Sequence, residues 1–212
     1  KETLRNEKSA FVFDAQAAMT EFSARLPFTL TDAQKKVCLE ISRDFMSGSV
    51  MNRLVQGDVG SGKTAVAAAA LYAVWHSGFQ GALMAPTEVL ARQHYRTFSE
   101  LFGEAEDGPR IGILTGSTRA KERRELLEKL AQGKVDILIG THALLEERVV
   151  FSSLALVVTD EQHRFGVQQR ETLSGKGKQP HVLVMSATPI PRTLAVILYG
   201  DLDISLIDAR PA

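Results

Sequence analysis

The stretch that most constrains the fold is a glycine-rich run between an apolar segment and an alanine-rich one. It matches the pattern G-x-x-x-x-G-K-[ST] at every position, and its residues are Gly57, Asp58, Val59, Gly60, Ser61, Gly62, Lys63 and Thr64. Segment 53–56 before it is short and apolar, as in a buried strand, and segment 65–71 after it is rich in alanine, a strong helix former. A strand, a glycine-rich turn and a helix in this order are the setting in which the pattern forms a phosphate-binding loop.

The residue types in this loop suit a bound phosphate. Glycine lets the backbone wrap closely around an anion, and the amides at the start of the following helix point their dipoles into the loop. Lys63 would add a positive charge on the β- and γ-phosphates, and the Thr64 hydroxyl would take one position on Mg²⁺. The alternative, a glycine-rich turn that binds nothing, does not explain why the strand and helix patterns flank it. We therefore expect a nucleotide with Mg²⁺.

Composition excludes some classes of site and leaves the partner open. Lys and Arg total 25 among 212 residues, as do Asp and Glu, so no overall basic charge indicates nucleic acid. The single cysteine, Cys38, excludes a disulfide within the chain and a cysteine-based metal site. Its helical spacing with Val37 and Ile41 favours a buried thiol over a reactive one. No apolar run reaches membrane-spanning length and no signal peptide opens the sequence, which predicts a cytoplasmic protein.

Helical patterns precede the loop. Residues 1–25 carry apolar side chains at helical spacing, and we expect a helix that links the domain at 26–212 to an upstream domain. Thr31 to Gln34 has the form of a capping box, which predicts a second helix running to Met46. Because the sequence begins with Lys1 rather than Met, we expect it to be a piece of a longer protein.

Beyond the loop, short apolar runs alternate with helical stretches. The runs that predict strands are 81–85, 110–114, 135–140, 154–159 and 181–185, with a further edge strand at 202–207. The predicted helices are 88–102, 118–132, 142–146 and 191–199. This alternation is typical of an α/β domain in which a mostly parallel sheet has helices on both faces.

Ligands of open parallel sheets bind at the carboxyl ends of the strands, where two clusters of polar residues lie. After the run 154–159, Asp160 is suited to hold Mg²⁺ through water and Glu161 to orient and deprotonate an attacking water. The alternative is an acidic helix N-terminus.

The neutral side chains of Gln162 and His163 follow and could sense the γ-phosphate, although a lone histidine at a strand end is more often structural. After the run 181–185, the hydroxyls of Ser186 and Thr188 could couple the nucleotide state to a neighbouring surface. Alone they would be read as a turn and a helix start.

These motifs resemble those of a known family. GDVGSGKT, DEQH and SAT are similar to motifs I, II and III of superfamily 2 helicases, with DEQH in the DExH form. Together with MAPTEVLARQH, GTHALL and TPIPRTLA, they resemble the first motor domain of the RecG family of bacterial branched-DNA helicases, from Leu26 to Arg210. The transcription-repair coupling translocase is a near alternative, and Ser61 and Gln162 favour the RecG family over it.

The resemblance implies a RecA-like fold, ATP with Mg²⁺, and branched DNA such as forks and Holliday junctions. It implies adenine contacts for Phe28 and Gln34, although Gln34 also completes the capping box and both roles stay open. It further implies DNA-backbone contacts at three places, namely Pro86 and Thr87, Thr115 and Gly116, and Thr141 and His142. Without the resemblance, Pro86 and Thr87 would be read as a helix cap.

Two further readings stay open for comparison. A nucleotide-dependent binding switch without turnover would not need a water-activating carboxylate such as Glu161, and a metabolic kinase would need a substrate lid that the sequence does not show. The family's second motor domain and its upstream wedge domain do not match any segment here. We therefore expect the isolated chain to be nearly inactive as an ATPase.

Overall fold

The structure is a computed structural model that describes residues 7–103, 108–161, 167–188, 190–191, 193–194, 197 and 202–208. Glu161 and Val167 are described by their backbone alone. The described residues form one seven-stranded sheet in which every pairing is parallel. The strands are β1 (Asn52–Gly57), β2 (Gln80–Met84), β3 (Ile111–Leu114), β4 (Ile137–Gly140), β5 (Leu154–Glu161), β6 (His181–Ser186) and β7 (Asp203–Ile207). Their order across the sheet is β3-β4-β2-β5-β6-β1-β7.

Helices follow most of the strands, as parallel connections require. Those described are α1 (Gln16–Arg25), α2 (Asp32–Met46), α3 (Lys63–His76), α4 (Glu88–Phe102), α5 (Ala120–Ala131) and α6 (Val167–Ser174), with a 3₁₀ turn at His142–Leu145. None of these described helices is long and apolar enough to cross a membrane.

Both faces of the sheet are covered, and side chains alternate between them along each strand. In β2, Leu83 packs in the cluster that includes helices α1 to α4, whereas Ala82 and Met84 pack in the cluster that includes α5 and α6. The alanine-rich helix α3 is almost completely buried in the first cluster. Helix α3 packs closely on β2 at Gly81, where a Cβ would overlap the Leu71 side chain of the helix. This close packing holds α3, which begins at the end of the glycine-rich loop, against the sheet.

The predicted α/β fold class is confirmed, as are the strands. Each predicted strand lies within two residues of the observed one, and the run 202–207 is indeed an edge strand, β7. The capping box of α2 is also present, with both of its hydrogen bonds. Cys38 is buried as expected, and burial raises the pKa of its thiol to about 12.

The predicted helix at 1–25 needs correction. Helix α1 begins only at Gln16, and the part of the preceding segment that is described is held to the domain by backbone hydrogen bonds from Ser9 to Gly48 and from Val50 to Glu7. Phe11 is buried because its ring packs edge-to-face on Phe79, 5.0 Å between centroids, and not because it belongs to a helix. Segment 7–25 therefore shares the core of the domain, and residue 25 marks no break in the packing.

One further helix prediction differs from the structure, one observed helix was not predicted, and one prediction falls largely outside the described residues. The segment predicted at 142–146 is a 3₁₀ turn of four residues rather than an α-helix. Helix α6 was not predicted, because its sequence VQQRETLS is mostly polar and only Arg170 and Leu173 of its described side chains are buried. The helix predicted at 191–199 falls largely outside the described residues. Within this range, residues 193, 194 and 197 are described as helical.

Candidate nucleotide-binding site

The glycine-rich loop leaves the carboxyl end of β1 and enters α3, as its sequence predicts. Gly60 and Gly62 both have φ of +82°, in the left-handed region that favours glycine. A Cβ on Gly62 would also overlap the carboxamide nitrogen of Gln34, and one on Gly57 would lie 2.9 Å from the carbonyl of Ile207. Side chains at these positions would be strained, or would overlap neighbouring atoms at Gly57 and Gly62, so the three glycines let the backbone turn tightly here. Such a glycine cradle is the kind of backbone turn that suits a phosphate group.

Lys63 lies over this loop. Its Nζ donates hydrogen bonds to the carbonyls of Gly57 and Asp58, at 2.6 Å and 2.9 Å. Burial lowers the pKa of the ammonium group, while the charges of Asp160 and Asp58 act in the opposite direction. The strand register gives the geometry: β6 lies between β1 and β5, and both Gln56 of β1 and Glu161 of β5 are in register with Ser186. The carboxyl ends of the strands that carry the loop and Asp160 therefore lie close together.

The Ser61 side chain has a buried hydroxyl without a hydrogen-bond partner among the described residues. The backbone amide of Ser61, in contrast, donates to the Asp58 carbonyl at 3.0 Å. A buried hydroxyl without a partner is costly, and a phosphate oxygen would supply an acceptor. The orphaned hydroxyl and the glycine cradle are both compatible with a bound nucleotide.

Gln34 joins the start of α2 to the loop. Its Oε1 accepts from the Thr31 amide at 2.9 Å, which closes the capping box, and its Nε2 donates to the Ser61 carbonyl at 2.9 Å. The capping role is thus confirmed, and the adenine role stays a prediction. Phe28, the other residue expected at the base, is 43% exposed and lines an open hollow of about 420 Å³ beside Lys35.

Asp160 stands at the carboxyl end of β5, in register with Met185 of β6. Its Oδ2 lies 2.6 Å from Nε2 of His94 on α4. Sequence reasoning gave His94 no role; the available signal was its place on the buried face of α4, three residues after Ala91 and four before Phe98. Glu161 follows in register with Ser186, and Gln162 and His163 lie outside the described residues.

The loop that follows β6 is hydrogen-bonded to β1, the strand that precedes the glycine-rich loop. The Gln56 carboxamide donates to the Thr188 carbonyl at 2.9 Å, directly before the glycine-rich loop begins. The Ser186 hydroxyl contacts the Thr188 amide at 3.3 Å, as in the turn expected from these residue types. Gln56 is a second residue that sequence reasoning missed, because its partner lies 132 positions away in the chain.

The residues expected to face DNA divide into two groups. Thr87 caps α4 by accepting a hydrogen bond from the Leu90 amide, and Thr87, Gly116 and His142 are exposed, while Pro86 is half-buried. Thr115 and Thr141, in contrast, are only 1% and 4% exposed.

The burial of these two threonines has a local cause. The Thr115 hydroxyl contacts Ser117 and Thr118 within its own loop, and the Thr141 amide is drawn to the Leu114 carbonyl. Both threonines are therefore buried, whereas Gly116 and His142 beside them are exposed. The DNA contacts expected at these two places stay a prediction.

The donor atoms present fit a magnesium ion better than a softer metal. Thr64 and Asp160 offer oxygen, and Mg²⁺ is held in proteins by one or two oxygen ligands while phosphates and water complete its shell. Within the described part of the chain, no group of three or more His, Cys, Asp or Glu could hold a metal by itself. A shared site between protein and phosphate is therefore the arrangement that these residues allow.

Comparison with known proteins decides the family. The model of the DEAD/DEAH box helicase family matches residues 31–197. The chain belongs to this family. Similar proteins include bacterial helicases, and the similarity to them extends over most of the 212 residues of this chain.

Two relatives illustrate the similarity. The chain is 56% identical over 194 residues to the ATP-dependent DNA helicase RecG of Bacillus subtilis, covering 92% of this chain and 28% of the relative. It is 52% identical over 214 residues to the ATP-dependent DNA helicase RecG of Synechocystis, covering 99% and 25%. The predicted resemblance to RecG is thereby confirmed, and the chain spans about a quarter of the length of these relatives.

Solved helicase structures have the same fold as this chain. The structure of RecG bound to a three-way DNA junction matches with a TM-score of 0.79 and 45% identity, covering 97% of this chain and 27% of that one. The helicase MrfA bound to DNA matches with a TM-score of 0.67 at 18% identity, which supports the fold alone. The RecA-like architecture is therefore the observed one.

Proposed function

We propose that this chain is the ATP-binding first motor domain of a RecG-like helicase that remodels stalled replication forks and Holliday junctions in recombination and repair. The observation that carries the proposal is the placement of the glycine-rich loop after β1 and of Asp160 at the end of β5, the two strands that flank β6 in the parallel sheet. The similarity to RecG, including the form bound to a three-way DNA junction, supports the choice of branched DNA. A cytoplasmic location, with the chromosome, belongs to the same proposal.

In this proposal, the loop residues 57–64 hold the phosphates of the nucleotide. Lys63 exchanges its bonds to the loop carbonyls for bonds to phosphate oxygens, which its burial makes stronger than they would be in water. Thr64 and Asp160 would hold Mg²⁺, and Glu161 would orient the attacking water and accept its proton. When bound, ATP would supply the phosphoryl group and Mg²⁺ would neutralise charge that develops on it.

The coupling residues are part of the same proposal. Gln162, His163, Ser186 and Thr188 respond to the presence of the γ-phosphate. The hydrogen bond from Gln56 to Thr188 supports this assignment, because it ties the loop after β6 to the strand that carries the phosphate-binding loop.

The DNA-facing surface would lie at the N-terminus of α4 and the loops after β3 and β4. These segments are linked, since Arg92 donates to Glu88 and to Ser117 and thereby holds the first turn of α4 against the loop after β3. Exposed hydroxyls and backbone amides at such sites bind phosphates without a net positive charge. Thr87, Gly116 and His142 are the residues that we propose for backbone contacts. The second motor domain and the wedge domain of a RecG-like protein would supply the others.

The test separates nucleotide binding from turnover in a protein that carries this chain together with a second motor domain. We expect Glu161→Gln to retain ATP binding, measured by calorimetry, and to lose the unwinding of a model fork by a factor of at least roughly 10², because a general base contributes on that order. Unwinding at the wild-type rate by this variant would contradict the proposal.

A further inference from the structure

The His94–Asp160 contact joins α4 to the end of β5 at a buried position. Nε2 of His94 lies 2.6 Å from Oδ2 of Asp160, and His94 is only 8% exposed. An ionised carboxylate can only accept, so the proton of this hydrogen bond sits on Nε2. The contact spans 66 positions of sequence and is made side chain to side chain.

The imidazole ring is fixed by its surroundings. His94 follows Ala91 by one turn and precedes Phe98 by one turn, and both neighbours are fully buried in the core. The rings of His94 and Phe98 lie 6.1 Å apart at an angle of 43°. A donor held in this way restricts the orientation of the carboxylate that accepts from it.

We propose that His94 is a positioning residue for the metal site. It holds Oδ2 of Asp160 against α4, which keeps the carboxylate in one orientation and leaves Oδ1 for the water shell of Mg²⁺. The inference rests on the proposed function, since it takes Asp160 as the residue that holds Mg²⁺. Groups that hydrogen-bond a metal-binding side chain commonly change metal affinity by 10- to 100-fold when they are replaced.

A purely structural histidine would also be buried and hydrogen-bonded, and the chain contains one for comparison. His181 is fully buried at the opposite end of the sheet, where its Nδ1 accepts from the Met51 amide at 2.9 Å and its Nε2 donates to the Phe11 carbonyl at 2.7 Å. Replacing His181 removes a buried histidine of similar environment without touching the nucleotide site. It is therefore the matched control.

The experiment measures how much Mg²⁺ strengthens ADP binding, by calorimetric titration of the full chain in Mg²⁺ and in EDTA. His94→Asn and His94→Gln form the test pair: the Gln carboxamide nitrogen reaches about as far as Nε2 of histidine, whereas that of Asn stops near Nδ1. We expect H94N to reduce the Mg²⁺ enhancement by roughly 10-fold while ADP affinity in EDTA stays within about twofold. H94Q should retain most of the enhancement, and H181N should leave it unchanged. Thermal melts verify that each variant is folded.

The outcomes separate this inference from the function on which it rests. If H94N keeps the wild-type Mg²⁺ enhancement while Asp160→Asn loses it, His94 is a core residue and the inference is overturned. If Asp160→Asn also keeps the enhancement, Asp160 does not hold the metal, and the proposed site falls together with the inference. An equal loss in H94N and H181N would reduce the effect to general destabilisation and would likewise overturn the positioning role.

Discussion

Single residues of the glycine-rich loop make hydrogen bonds within the loop itself. Lys63 bonds to two carbonyls of its own loop, so the positive charge already lies where phosphates are expected. The same geometry occurs elsewhere in the chain, since Nζ of Lys176 donates to the carbonyls of Glu146 and Val149 at 2.6 Å and 3.0 Å. Burial lowers the pKa of both ammonium groups. Carboxylates lie near both lysines, since the charges of Glu146 and Glu147 act on Lys176 as those of Asp160 and Asp58 act on Lys63. The glycine-rich loop at the start of α3 is what distinguishes Lys63.

This pair of lysines gives the first prediction. We expect Lys63→Ala to weaken the binding of ATP and ADP by on the order of 2–4 kcal/mol, because a charge-assisted contact to phosphate in a partly desolvated loop is lost. Lys176→Ala should cost stability and leave both affinities unchanged. Calorimetric titration of the two variants measures this, and equal affinities for Lys63→Ala and the unmodified chain would remove Lys63 from the site.

Gln34 gives the second prediction, because the structure assigns it two structural hydrogen bonds. Gln34→Ala loses the capping contact to Thr31 and the bond to Ser61, so we expect the free energy of unfolding to fall by about 2 kcal/mol. If Gln34 also reads the adenine edge, the gap between ATP and GTP affinity should narrow as well.

Thr31→Ala is the control for Gln34, since it removes the hydroxyl that accepts from the Gln34 amide and leaves both side-chain hydrogen bonds of Gln34 in place. It should cost about 1 kcal/mol of stability and leave the ATP/GTP ratio unchanged. Thermal melts and competition binding measure the two effects. A ratio that is also unchanged in Gln34→Ala would leave that side chain with its structural role alone.

At the scale of elements, hydrophobic periodicity accounts for what could be predicted. The strands of the sheet are short apolar runs, and α2 and α4 have a clear polar and apolar face with capping residues, so their positions follow from local sequence. Helix α6 lacks such a face and was missed. The start of α1 was misplaced because Phe11, which fits the helical spacing by chance, is buried by contacts with β6 and Phe79.

The candidate site shows the same limit. The glycine-rich loop and the carboxylates at the end of β5 could be located from sequence, because each lies within a few consecutive residues at a strand end. His94 and Gln56 could not be placed, since their partners lie 66 and 132 positions away and periodicity carries no information on which side chains meet. Such long-range pairs follow only from the order of the strands.

The third prediction concerns His181, which joins β6 to the segment before α1 through its hydrogen bond to the Phe11 carbonyl. Burial lowers the pKa of His181, although its bond to the Phe11 carbonyl and the charge of Asp44 act in the opposite direction. Protonation would remove the acceptor that Nδ1 offers to the Met51 amide. The unfolded chain therefore binds a proton at higher pH than the folded one, and the stability from the neutral ring is complete above the unfolded pKa of about 6.5 and is lost as pH falls below it.

We expect the free energy of unfolding to decrease from pH 7 to pH 5, measured by denaturant titration. His181→Asn lacks this titration, so its stability should depend less on pH over the same range. Other histidines contribute equally to both proteins, which makes the difference between the two curves the quantity of interest. Parallel curves would show that His181 does not govern this pH dependence.

At the scale of the whole molecule, the candidate site lies at the carboxyl ends of three neighbouring strands of the sheet. Asp160, the loop lysine and the Thr188 loop all lie at the carboxyl ends of β5, β1 and β6, which are neighbours in the sheet. In helicases of this kind, an arginine from across a domain cleft stabilises the transferring phosphoryl group, and such arginines contribute roughly 10³–10⁵ in rate. Arginines with described ion pairs are engaged elsewhere, for example Arg53 with Asp44 and Arg123 with Glu146.

We therefore expect this chain alone to bind ATP and to show almost no DNA-stimulated hydrolysis. The measurement is phosphate release at saturating ATP and Mg²⁺ with a model fork, for this chain and for a protein that extends it through a second motor domain. The extended protein should hydrolyse ATP faster by a factor of roughly 10³ or more. Only this protein can place an arginine from a second domain opposite the carboxyl ends of β5, β6 and β1. Lys63→Ala in the extended protein controls for contaminating ATPases. Comparable rates for the two proteins would mean that a catalytic arginine lies within these 212 residues, and the division of the site between two domains would then be wrong.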